Sequence, residues 1–107
     1  MDIMQKRRIA EVYYDDDEDP GGKGKRWIQM YAYGTSKRGN DVVRVYQVGG
    51  DTKTIQPGWK LFRVDKIVSW DEKIDDNNTP VVFNEPQVGF NPNSDKGMNR
   101  VIKIAKF

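Results

Sequence analysis

A chain of 107 residues fits one compact domain, and with 36% hydrophobic against 32% charged residues it can bury only a modest core. It holds neither cysteine nor histidine. That excludes disulfides, thiolate metal sites, and the commonest general base and transition-metal ligand. The 18 Lys and Arg stand against 16 Asp and Glu, a net charge of +2, so the distribution of charge says more than its sum.

Met1 to Lys6 suits a helical start of less than about two turns, and it lacks the apolar core of a signal peptide. No stretch is apolar enough to span a membrane, so a soluble, cytoplasmic protein without a membrane partner is the expectation. Arg7 to Tyr14 predicts a first strand, with Ile9, Glu11 and Tyr13 alternating against Ala10, Val12 and Tyr14. The acidic, glycine-rich run of residues 15–25, with Pro20, Gly21 and Gly22, predicts a mobile hairpin loop. Arg26 to Tyr33 predicts a second strand, placing Trp27, Gln29, Tyr31 and Tyr33 on one face and Ile28, Met30 and Ala32 on the other. After a basic turn over residues 34–40, Asp41 to Val48 is rich in β-branched residues and predicts a third strand. Residues 49–58 read as loop. A fourth strand is expected over Gly58 to Trp70, where Trp59, Phe62, Val64 and Ile67 have the character of core.

Beyond Asp71 the alternation decays into a polar, turn-rich stretch, a short apolar run at residues 81–83, and an irregular loop over residues 84–97. The tail, residues 98–107, fits a closing strand by period two, while period 3.6 would align Met98, Ile102 and Ala105 on a helix. Four or five short antiparallel strands make the fold mainly β, a small curled sheet or barrel with little or no helix, in a single domain over residues 1–107. Charge is segregated along the chain. Residues 74–95 hold Asp75, Asp76, Glu85 and Asp95 with no base, and residues 96–107 hold Lys96, Arg100, Lys103 and Lys106 with no acid.

Three motifs fail on inspection. Asp15, Asp17 and Asp19 occupy the first, third and fifth positions of a calcium loop, but Pro20 stands where glycine is needed and Arg26 where a bidentate Glu belongs. The glycines around Lys23 and Lys25 lack the spacing and the following Ser or Thr of a phosphate-binding loop. The Asn77-Asn78-Thr79 sequon has no secretory signal to accompany it. No cofactor or metal is expected. With only carboxylates, Lys and Tyr left as proton carriers, an enzyme is not expected either.

What remains is a gathering of basic and aromatic residues on the second to fourth strands and their turns. The candidate binding residues are Lys37, Arg38, Arg44, Tyr46, Gln47, Trp59, Lys60 and Arg63. Guanidinium forks suit phosphates, and flat rings stack on unstacked bases. Strand alternation places Arg44 with Tyr46, and Lys60 with Phe62. Arg44 interrupts the apolar run Val42-Val43-Val45, and Arg63 lies between Phe62 and Val64. An unpaired charge there would be costly if buried, so each is either paired to a carboxylate such as Asp65 or Asp41, or reserved for an anion.

The stretch from Trp59 through Phe62, Arg63, Val64, Asp65, Lys66 and Ile67 resembles the closing segment of WYL domains. Gly34, Gly39, Asn40, Arg44, Tyr46 and Gln47, with Asn91, Asp95, Lys96 and Met98 further on, are similar to short stand-alone WYL-like proteins of bacteria and phages. The Trp-Tyr-Leu triplet that names the family is absent, with Val42, Val43 and Arg44 in roughly that strand. The resemblance implies a bare Sm-like β-barrel without a helix-turn-helix. It also implies ligand sensing or nucleic-acid binding in a regulatory or accessory role, with Arg44, Arg63 and the Lys37-Arg38 turn as contacts. The expectation is thus a non-enzymatic module for nucleic acid or a nucleotide. The alternative is a protein-interaction module, docking a partner or its own copies through sheet edges.

Overall fold

The computed structural model describes residues 2–16, 22–50 and 58–107. The tip of the expected acidic loop, with Asp17, Asp19 and Pro20, and most of the expected loop over residues 49–58 lie outside the described residues. The elements in chain order are a short helix α1 (Asp2–Gln5), strands β1 (Ala10–Tyr14), β2 (Gly24–Thr35), β3 (Asp41–Gly50) and β4 (Gly58–Arg63), a 3-10 turn (Val64–Lys66), then β5 (Ile67–Glu72) and β6 (Arg100–Ile104). The fold is mainly β and antiparallel, and the tail is a strand, although a slip in the β2–β6 register brings Val101 and Ile104, expected on opposite faces, to one cluster.

The strands order as β4-β3-β2-β1-β5, with β6 also paired to β2. The long β2 permits this by dividing one edge. Residues 24–28 pair with β1, residues 32–35 pair with β6, and β3 runs along the other edge. β1 begins later than expected because Arg7 takes a φ of 53°, a left-handed turn that a strand cannot continue.

The expected strand over residues 58–70 is broken in two. Its halves lie at opposite ends of the sheet order, with β4 on β3 and β5 on β1. In a flat sheet four spacings would separate them by about 19 Å, whereas a 3-10 turn carries the chain only about 8 Å from Arg63 to Ile67. The sheet must therefore curl until its ends almost meet. Among the described residues no ladder joins β4 to β5, so the sheet is not closed into a barrel. One ring stack and two hydrogen bonds tie its ends together. The rings of Tyr14 on β1 and Phe62 on β4 stack with centroids 4.0 Å apart, the Arg63 N–H donates to the Tyr14 hydroxyl at 3.0 Å, and the Asp15 N–H donates to the Lys66 carbonyl at 2.8 Å.

The concave side encloses the main core of Met4, Ala10, Val12, Tyr14, Ile28, Met30, Val43, Val45, Phe62, Ile67 and Ala105, and Val64 and Trp70 pack at its margin. Within it Arg26 is fully buried, its guanidinium 5.7 Å from the Tyr14 ring and 5.6 Å from the Phe62 ring. It donates to Gln47 Oε1 at 2.9 Å and to the Gly22 carbonyl.

A second apolar layer covers the convex side, where the sequence predicts only irregular loop. Met98 packs on Ala32 and Val42 with Leu61, Val101 and Ile104 around them. A β-bulge prepares this layer. The β2–β3 register slips between Met30 and Ala32, which leaves Tyr31 as the extra residue. Side-chain parity reverses there, so Tyr33 packs against the main core and Ala32 joins the outer cluster, opposite to the expected faces.

Candidate binding cleft

Tyr31 is the hub of the outer face. Its ring centroid lies 4.7 Å from Trp59, 4.9 Å from Phe90, 5.6 Å from Phe83 and 5.8 Å from Phe107. The tilted rings bury apolar area while keeping favourable edge-to-face geometry. The Tyr31 hydroxyl donates to Gln29 Oε1 at 2.8 Å and accepts the Gln87 N–H at 3.0 Å. Burial pushes this phenol above its usual range, because the phenolate would lose hydration there.

β4 presents Trp59 beside Tyr31, and Tyr46 of β3 meets Trp59 edge-on at 5.3 Å. The Trp59 indole N–H donates to the Val88 carbonyl at 2.9 Å, which seats the 86–90 turn against the sheet. Between this turn and the strands lies a cleft of about 470 Å³. Its aromatic wall is Tyr31, Trp59 and Phe90, and its polar wall is Arg44, Asn91, Ser94, Asp95 and Lys96. That size and this mixture of apolar wall with few polar groups are usual for a small-molecule site.

Arg44 projects from β3 into the polar wall and is paired. Its Nε donates to Asp95 Oδ2 at 2.7 Å and its Nη2 to Oδ1 at 2.9 Å, a bidentate fork. Asp95 Oδ1 also accepts the Gly97 N–H at 2.8 Å. These bonds, Arg44 first, hold the Asp95 carboxyl below its usual range despite burial. The partner is neither Asp41 nor Asp65. Arg63 does pair with Asp65, through Nε at 3.1 Å and Nη2 at 2.8 Å, at an exposed corner. That carboxylate raises the affinity of the Arg63 guanidinium for its proton.

The eight residues expected to bind are therefore not one patch. Register puts Arg44, Tyr46, Trp59 and Arg63 on the convex face, with Val42 opposite Arg63 and Tyr46 opposite Trp59. Of these, Arg44 and Trp59 line the cleft. Gln47 and Lys60 belong to the concave face; Gln47 is fully buried against Arg26, and Lys60 stands opposite Val45. Lys37 and Arg38 are exposed on the β2–β3 turn, which Gly39 closes at a φ of 85°.

Sequence reasoning missed Phe90, Ser94 and the pairing role of Asp95. Nothing local marks them, since Asp95 lies 51 residues from Arg44. Asp95 and Lys96 stand among the residues of the resemblance, which gives Asp95 no partner. The chain matches no known family model, no curated protein and no solved structure.

Proposed function

We propose that this chain is a non-enzymatic module that binds the base of a nucleotide or of a single nucleic-acid strand in the cleft between β2–β4 and residues 88–96. One observation carries the reading: Trp59 and Phe90, backed by the fully buried Tyr31, stand opposite a guanidinium–carboxylate pair. Rings offer a stacking surface to any base, and fixed polar groups beside them can read a base edge. The basic turn at Lys37 and Arg38, and the tail bases Lys96, Arg100 and Lys103, all exposed, supply attraction for a polyanion. The WYL resemblance implies the same class of ligand.

The test is a titration of the purified protein with single-stranded DNA and RNA at low and physiological salt, followed by fluorescence anisotropy. Dissociation constants below about 1 mM that weaken about fivefold or more in Trp59→Ala are expected, because base–ring stacking is worth about 1–3 kcal/mol. Failure of every strand to bind, or equal binding by Trp59→Ala, would falsify the reading. A protein partner is the second reading, favoured by Val88, 95% exposed at the cleft rim. It requires salt-insensitive capture of one stoichiometric protein with no nucleic acid present.

A further inference from the structure

The proposed cleft holds two cations, and one of them is already engaged. Asp95 takes both Nε and Nη2 of Arg44, and its side chain is only 9% exposed. The 95–97 turn is seated on this pair. A Cβ on Gly97 would stand 2.7 Å from Arg44 Nη2 and 3.2 Å from Asp95 Oδ1, so a side chain there would push the guanidinium out of its fork. A phosphate bidding for the same fork would have to strip off the carboxylate and leave it desolvated beside a single backbone N–H. The pair is part of the wall and contributes no net charge. Lys96 is the remaining cation of the cleft, exposed at its mouth and without an ion pair among the described residues. Arg44 Nη1 makes no hydrogen bond among the described residues, and its N–H groups suit the acceptor atoms of a base edge.

We infer, resting on the reading above, that the cleft recognises base and sugar together with a single phosphate, the phosphate meeting Lys96. Nucleosides, nucleoside monophosphates and single strands are then its ligands. The added phosphates of a triphosphate find no partner there. The same wall explains why a fork that looks made for an anion does not serve one.

NMR titration of the full chain tests this, following the Trp59 indole N–H identified with Trp59→Phe. The probes are the four ribonucleosides, their 5′-monophosphates and 5′-triphosphates, a short single-stranded oligonucleotide, and inorganic phosphate. The monophosphate is expected to bind tighter than its nucleoside by less than about tenfold, and to weaken as salt rises from about 50 to 200 mM, as screening of one charge contact requires. The triphosphate should match the monophosphate within about twofold. Lys96→Ala should erase the difference between monophosphate and nucleoside. Asp95→Asn, which keeps the shape and removes the charge, should raise both phosphorylated ligands severalfold. A triphosphate at least tenfold tighter than the monophosphate, or inorganic phosphate shifting the Arg44 Nε–H, overturns this inference and leaves the base-binding reading standing. If no nucleoside, nucleotide or strand moves the Trp59 signal, the base-binding reading falls and takes this one with it.

Discussion

At the scale of single residues, the Arg44–Asp95 pair does most to shape the cleft, and it is a structural pair. Its side chains are 21% and 9% exposed, so cutting one partner leaves the other charge only partly hydrated. Asp95→Ala should cost about 1–3 kcal/mol in urea unfolding near neutral pH, against much less when Arg44 is removed as well. The pH dependence has a definite sign. Asp95 titrates below its ordinary 3.8 in the folded state, so its stabilisation is complete above that pH and is lost as the pH falls toward the folded value. Unfolding of the wild type should therefore lose stability below about pH 4 more steeply than Asp95→Asn does. Equal slopes for the two proteins would show that Asp95 is not the group responsible. Arg63 differs in kind. Its pairing with Asp65 is exposed and local, and such pairs add little to stability.

At the scale of elements, the corner between β4 and β5 decides the architecture. Residues 58–70 read as one strand, yet Phe62 and Ile67 are five residues apart and would fall on opposite faces of a single strand; the turn at Val64–Lys66 is what brings both into the core. The corner is held by the Tyr14 hydroxyl, which accepts the Arg63 N–H at 3.0 Å and donates to Asp16 Oδ2 at 3.3 Å. Tyr14→Phe keeps the stack on Phe62 but orphans that backbone donor, and a loss of about 1–3 kcal/mol in thermal or urea unfolding is expected. No loss would mean that the ring stack alone holds the sheet ends together. The bulge at Tyr31 was equally invisible to a period-two reading. An inserted residue changes the face of everything after it, and no residue type in the Met30-Tyr31-Ala32 run announces the slip.

For the whole molecule, the curled sheet carries apolar residues on both faces, and the two are not equally secured. The concave core is wrapped by β1 to β5, whereas the outer cover over residues 80–99 has only isolated bridges and scattered hydrogen bonds. Such segments open locally at less cost than central strands. Amide exchange should therefore be fast over residues 84–96 and slow in β2 and β3, whose amides should exchange only on global unfolding. Ligand in the cleft should slow the 88–96 amides selectively. Uniform protection across the chain would contradict this division.

Much was legible in the chain itself. The strands, the mainly β class, the extended tail, and the absence of cysteine and histidine chemistry all follow from local alternation and composition, which act over a few residues. The even spacing of Arg44 and Tyr46 on one face and of Lys60 and Phe62 on the other was legible for the same reason. The tertiary structure alone decided the fold-back at residues 64–66, the parity change at Tyr31, the choice of Asp95 over nearer carboxylates, and the covering of the outer face by Phe83, Phe90 and Met98. Each depends on which distant segments share space once the sheet curls. Burial and close packing select such partners over the whole chain at once, so a window of neighbouring residues carries no trace of them.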